Sequence, residues 1–357
     1  MSAEKVGQSM LIQQHDKIER FRTGLCFDDV LLVPQFSETL SRKEISLESF
    51  LGNFRFDLPI ISSPMDTVTS SRMAAEMSRL GGLGIIHRYN SISEQVSCVR
   101  SAKSEDDTIV GAAVGVSGDY IDRACALYDA GANIICVDIA HGHHVLMRHA
   151  LGTLRNTLGT SVHIMAGNVA TLDAFNDLAD WGADSIRVGI GGGSICSTRI
   201  KTGHGMPTFQ SILDCAQTDR DASLIADGGI KTSGDVVKAI AAGADFVMFG
   251  SLLAGTNETP GEIIFTNGER HKTYRGMASA AAQIDWRGHT ASLEGVSTVI
   301  PAKGSVEDVL LDIEKGVRSG LSYSGATSLE ELQAKSQFIC QTNSGVVESS
   351  THIKLLV

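Results

Sequence analysis

Chemistry in this chain concentrates at residues 186–199, where Ile186, Arg187 and Val188 run into Gly189, Ile190, Gly191, Gly192 and Gly193, and the glycines deliver Ser194, Ile195, Cys196, Ser197 and Thr198. A thiolate is a strong nucleophile toward an electrophilic carbon. Glycine-rich backbone after a strand can mould itself to a ligand and present N–H groups to a phosphate. The same pattern also fits a flexible loop around a packed, inert cysteine. The elements that carry the loop have to separate the two readings.

From Pro59 onward, short β-branched runs alternate with longer amphipathic stretches, the pattern of successive βα units. Eight strands are expected: 59–62, 83–87, 109–114, 134–138, 162–166, 185–188, 224–226 and 246–249. Continuous apolar character suits a parallel sheet covered on both faces, either a closed barrel or a doubly wound open sheet. The residues at the strand ends decide for the barrel. Ser63 to Asp66, His87 and Arg88, Asp138 to His143, Gly167 and Asn168, the cysteine loop, Asp227 to Gly229, and Gly250 and Ser251 put polar and glycine residues at the C-terminal end of nearly every strand, where barrel enzymes build their sites. The expected fold is therefore an α/β TIM (β/α)8 barrel, a single domain over 1–357 with an N-terminal arm (about 1–58) and a lid (about 257–304). Helical spacing is expected at 71–77, 117–132, 234–244, 305–318 and 330–335. Residues 257–304 read as a long loop over the barrel mouth, and the tail from Val346 reads as polar.

The sequence has 357 residues, 43% of them hydrophobic and 20% charged, with only 6 prolines, which fits one large folded core. A net charge of −11 argues against holding a nucleic-acid backbone. No apolar run approaches the roughly 20 residues that span a bilayer, and the first twenty residues lack the apolar segment of a secretory signal. Seven cysteines without paired spacing fit neither a zinc site nor a disulfide framework, so a reducing cytoplasm is the expected compartment. The six other than Cys196 read as packing residues. His141, His143 and His144 suggest a metal cluster, but no acidic ligand is spaced to complete it and structural roles are favoured. Asp227, in Asp-Gly-Gly, reads equally as a ligand or as a turn carboxylate.

Several ordered segments together resemble the IMP dehydrogenase and GMP reductase family: 27–32 (FDDVLL), 63–68 (SPMDTV), 167–169 (GNV), the glycine-cysteine loop, 226–230 (ADGGI), 250–255 (GSLLAG) and 274–277 (YRGM). The resemblance runs from Leu25 nearly to the C-terminus. It implies a barrel that assembles as a homotetramer or octamer and binds a purine mononucleotide (GMP or IMP) beside NADP or NAD. It implies that Cys196 adds to C2 of the purine while hydride moves between C2 and the nicotinamide. By the same resemblance Ser63, Met65, Asn168, Arg187, Ser194, Asp227, Gly229, Gly250, Ser251, Tyr274, Met277 and Ala278 hold the nucleotide. Ser194, Gly229, Gly250 and Ser251 would take its phosphate and Asp227 the ribose hydroxyls. Asp138, Ile139 and Ala140 would face the cofactor.

Two activities share that scaffold. Dehydrogenases oxidise IMP with NAD and hydrolyse the thioimidate to XMP, using an Arg-Tyr pair on a mobile flap to activate water. Here Arg287 is followed by Gly288, so the hydroxyl is missing. Reductases deaminate GMP and reduce it with NADPH to IMP, using a Thr-Glu pair that Thr198 and Glu294 match. Ile139 in place of a hydroxyl, the loop Lys201-Thr202-Gly203, and the absence of the regulatory CBS insertion after His87 point the same way. Against this, Glu294 has counterparts in dehydrogenases. Glu348, Ser349 and Ser350 also resemble the segment that, from a neighbouring subunit, completes a potassium site on carbonyls of Gly191, Gly193 and Cys196. The resemblance thus implies GMP reductase, with IMP dehydrogenase as the alternative and a silent nucleotide-binding homologue as a third reading.

Overall fold

The computed structural model describes residues 22–103, 107–291 and 293–349. Eight parallel strands close into a barrel: Ile60–Ser62, Leu83–Ile86, Val110–Val114, Ile134–Asp138, His163–Val169, Ser185–Val188, Ser223–Asp227 and Phe246–Phe249. Closure is made where Val247 pairs with Ile60. All eight expected strands are present, and the fifth is longer than expected because it continues through Gly167 and Asn168 with an irregular register beside Arg187 and Val188.

Two apolar layers hold the barrel. Ile61, Leu83, Ile85, Ala113, Ile134, Cys136, Met165, Ile225, Phe246 and Met248 fill its interior, while the alternate strand residues pack outward on the helices. The hairpin of Ser49–Leu51 and Phe54–Phe56 adds Leu51 and Phe56 to the inner cluster, with the Phe56 ring 5.5 Å from Phe246 and edge-on to it. Phe246 opens its strand, so this hairpin plugs the N-terminal end and leaves the C-terminal mouth for a site.

The covering helices follow from spacing and caps. In Val306–Tyr323 the buried residues Val306, Leu310, Ile313, Val317 and Leu321 recur every three or four positions, and Ser305 Oγ accepts the Asp308 N–H at 3.2 Å. Ser91 with Glu94, and Thr232 with Asp235, form capping boxes at two further helix starts. The arm packs onto the barrel: Val30–Leu32 pairs antiparallel with Phe338–Cys340, and Phe27, Phe209 and Phe338 form an edge-to-face cluster. Among the described residues no helix is long and apolar enough to cross a membrane.

The lid differs from the sequence expectation. Residues 257–304 are not one long loop but a three-stranded antiparallel sheet (Ile264–Thr266, Glu269–Arg275, Ser297–Pro301) and a helix, Ala280–Arg287. The middle strand alternates, with Lys272 and Tyr274 buried between more exposed neighbours. A lysine in a buried position hides that period-two signal from any apolar count. The Asn267-Gly268 turn, both residues at positive φ, carries the hairpin signature that would have revealed it. The tail is likewise helical at Asn343–Glu348.

Phe56→Ala should empty the plug and cost about 3 to 5 kcal/mol, lowering the thermal midpoint by roughly 10 °C. Calorimetry measures this; since the mouth lies at the other end, affinity for the expected nucleotide should not change.

Candidate active site

Strand ends bring the expected side chains to one cavity of about 350 Å³. Ser63 and Met65 come from the first strand end, Asp138, Ile139 and Ala140 from the fourth, Asn168 from the fifth, Arg187 from the sixth, Asp227 and Gly229 from the seventh, and Gly250 and Ser251 from the eighth. The glycine loop adds Gly191, Gly193, Ser194, Cys196 and Thr198, and the lid adds Tyr274, Met277, Ala278 and Glu294. Gly189 makes the turn possible: at φ +148° it lies so close to the Asp227 carbonyl oxygen that any side chain would overlap it.

Electrostatics of the floor centre on Arg187, which is 6% exposed. Its Nη1 donates to Asp138 Oδ1, and its Nε and Nη2 donate to Asp227 Oδ2 at 3.1 and 2.8 Å. Asn168 Nδ2 adds a fourth bond, to Asp227 Oδ2 at 2.8 Å. Burial opposes the guanidinium charge, but Asp227 and Asp138 outweigh it and hold its pKa well above the usual arginine value. Arg187 therefore fixes the two aspartates expected to face the nucleotide and the cofactor.

Above this floor sits a hydrogen-bonded chain of three side chains. Cys196 Sγ donates to Thr198 Oγ1 at 3.2 Å, and Thr198 Oγ1 donates to Glu294 Oε2 at 2.8 Å. The lid strand is tied to the loop by backbone bonds, Ser197 N–H to Glu294 O at 2.9 Å and Val296 N–H to Ile195 O at 3.1 Å, so Glu294 is held by main chain as well as by its side chain. Cys196 is partly exposed within this setting. Burial pushes the Cys136 and Cys215 thiols up to about 12, which keeps them protonated. Partial burial and Asp29 raise the Cys26 thiol. Cys26 and Cys340 are exposed, correcting the expectation that all six other cysteines are packed.

One placement departs from expectation, that of Arg287. Arg287 does not line the Cys196 cavity: it donates to Gln283 Oε1 and sits over the Trp286 ring, on an adjoining cavity of about 340 Å³. Glu348 ends the tail helix and Ser349 caps it, with Ser349 Oγ donating to Gly345 O at 2.9 Å; Ser350 lies outside the described residues. The histidines are engaged singly, His143 Nε2 with Asp177 Oδ2 at 2.8 Å and His144 Nδ1 as acceptor of the Leu146 N–H. Among the described residues no group of three potential metal ligands occurs.

The adjoining cavity holds what sequence reading missed. Arg88, Tyr89, Ile139, Ala140 and Ala278 line both cavities, and Trp286 and Arg123 join them in the second. Tyr89 and Trp286 stack at 4.2 Å, Arg88 lies over both rings, and Tyr89 Oη donates to the Met277 carbonyl at 2.8 Å. The only sequence signal was the place of Arg88 and Tyr89 just beyond a strand end.

A closed parallel barrel that gathers a cysteine, a hydroxyl and a carboxylate in line at its C-terminal mouth has the architecture of a barrel enzyme. Residues 24–352 match the IMP dehydrogenase / GMP reductase domain, and the chain belongs to that family of purine-nucleotide oxidoreductases. It is 34% identical to an inosine-5'-monophosphate dehydrogenase of Nitrosopumilus maritimus (94% of this chain, 100% of the relative). It is 32% identical to a GMP reductase of Leishmania major (92% and 96%) and 38% identical to an inosine-5'-monophosphate dehydrogenase of Cryptosporidium parvum (92% and 95%). The structure of a cysteine-to-alanine variant of Trypanosoma brucei GMP reductase with guanosine 5'-monophosphate superposes with a TM-score of 0.89 at 32% identity, covering 95% of this chain and 99% of that one.

Arg187→Met should leave two partly buried carboxylates without their shared cation and cost about 3 kcal/mol. Adding Asp138→Asn should recover part of the loss in denaturant unfolding, because one of the two stranded charges is removed. Additive losses would show that the floor is not one charge network.

Proposed function

We propose that the chain is a GMP reductase, converting GMP and NADPH to IMP, ammonia and NADP. The carrying observation is the Cys196–Thr198–Glu294 relay, which leads from the nucleophile to a carboxylate without a break. Ser194, Gly229, Gly250 and Ser251 would hold the nucleotide phosphate and Asp227 the ribose hydroxyls. Ser63, Met65, Asn168, Tyr274 and the backbone of Met277 and Ala278 would complete the purine pocket.

The chemistry is set by where protons can go. Cys196 gives its proton through Thr198 to Glu294, and the thiolate adds to C2 of GMP. Glu294 and Thr198 then return a proton to the C2 amino group, which leaves as ammonia, so the acid–base pair acts in both senses on one path. A C2 thioimidate to Cys196 remains. When bound, the dihydronicotinamide supplies hydride to C2. As the C2–S bond breaks, the Cys196 thiolate departs and IMP is left; one proton taken up from solvent, passed along Glu294 and Thr198, restores the thiol.

The cofactor fits the adjoining cavity. That cavity joins the first at Ile139, Ala140 and Ala278, and Asp138 borders the junction. Its guanidinium groups suit a dinucleotide's phosphates, and Arg88 Nε is buried without a hydrogen-bond partner among the described residues. Arg88, Arg287 and the Tyr89–Trp286 stack would bind and orient the dinucleotide, and the stack would keep water from the junction.

The placement of Arg287 favours reduction over hydrolysis. On Gln283 and Trp286 it points its charge at the second cavity, and neither it nor Gly288 offers a water-activating pair at Cys196. For the alternative, IMP dehydrogenase with NAD, carbonyls of Gly191, Gly193 and Cys196 would take potassium with Glu348, Ser349 and Ser350 of a neighbouring copy in a homotetramer. One of those carbonyls, Gly193 O, already accepts the Cys196 N–H at 3.2 Å.

Purified protein given GMP and NADPH should consume the cofactor and release equimolar ammonia, and Glu294→Gln should lower kcat about 100-fold or more. With IMP and NAD, XMP should form slowly and without potassium stimulation. Fast, potassium-stimulated XMP formation with no GMP-dependent NADPH oxidation would assign the chain to the dehydrogenases.

A further inference from the structure

Two lysines of the lid converge on the short segment after the last barrel strand, residues 250–259. Lys272, in the middle lid strand and only 4% exposed, donates Nζ to Thr256 O at 3.0 Å, Thr259 O at 2.7 Å and Thr259 Oγ1 at 3.1 Å. Lys303, just past the strand Ser297–Pro301, donates Nζ to Ser251 O at 2.9 Å and Leu252 O at 2.7 Å, while its own N–H donates to Gly255 O at 2.7 Å. Every one of these acceptors is a neutral oxygen.

Burying an ammonium is costly unless its donors are used, and Lys272 spends three of them on one segment. Burial accordingly holds its pKa below the usual lysine value. Within the segment, Ala254 N–H closes a turn on Gly250 O at 2.9 Å; Lys303 pins two carbonyls inside that turn and Lys272 two carbonyls just beyond it. A trans peptide unit points its N–H away from its C=O. Fixing the carbonyls of Ser251 and Leu252 therefore fixes the N–H directions of Leu252 and Leu253, and with them the placement of Gly250 and Ser251 on the cavity wall.

We propose that Lys303, backed by Lys272, is a positioning residue for recognition of the nucleotide's phosphate, acting through the Gly250–Leu252 backbone without touching the ligand. The proposal rests on the proposed role of Gly250 and Ser251 in holding that phosphate. It also makes phosphate affinity depend on the lid, because both lysines belong to lid elements.

The test compares a ligand with the phosphate to one without it. Binding of GMP and of guanosine to the whole protein is measured by titration calorimetry for the native chain, Lys303→Met, Lys303→Arg and Lys272→Met. Lys303 is exposed, so its variants should fold even if Lys272→Met does not. Lys303→Met is expected to weaken GMP roughly 10-fold, as befits losing charged hydrogen bonds at one remove, to leave guanosine unchanged, and to be largely rescued in Lys303→Arg. Equal weakening of both ligands, or unchanged GMP affinity in Lys303→Met, overturns the proposal. If the native protein binds GMP no better than guanosine, the phosphate reading itself has failed, a result distinct from any effect of the variants, and the clamp falls with it.

Discussion

Glu294 stands beside Cys196 because the lid is sewn to the cysteine loop by main-chain hydrogen bonds, and the rest of the site depends on that seam. Ile195, Cys196 and Ser197 meet residues 294–296 in a short antiparallel bridge, and Glu294 N–H is itself held by Ala278 O at 3.2 Å. A glutamate on a free loop would sample many positions, and ordering it would cost entropy at each turnover. Here the backbone has already fixed it. The same seam delivers Met277 and Ala278 to the cavity, so the lid supplies part of the pocket wall as well as the carboxylate hydrogen-bonded to Thr198.

Beneath the seam, the floor solves a charge problem. Two carboxylates expected to serve different ligands approach the same buried space, and Arg187 lies between them with Asn168 in support. The guanidinium between them offsets both charges and holds the two carboxylates rigid. It also links them mechanically, since one planar guanidinium cannot shift toward Asp227 without altering its bond to Asp138.

The barrel was legible in the sequence because its strands are buried on both faces and so read as unbroken apolar runs between glycine and polar punctuation. The lid was not, because Lys272 occupies an inward position of its central strand and breaks the alternation that would have announced it. The residues lining the cavity could be inferred from strand-end positions and from ordered motif matches spread along the chain. Arg88, Tyr89 and Trp286 escaped because their partnership forms only when a strand end and a lid helix nearly 200 residues away are brought together. Arg287 shows the converse limit: a residue type matched in order along the chain can face a different cavity.

The central claim is that Cys196, alone among seven cysteines, attacks C2 of a bound purine nucleotide. Incubation of the protein with a purine nucleotide carrying a halogen at C2, followed by peptide mapping, tests this most directly. The account predicts a single nucleotide adduct on Cys196, prevented by excess GMP or IMP and absent from Cys196→Ala. An adduct on exposed Cys26 or Cys340, or labelling that persists in Cys196→Ala, would contradict it.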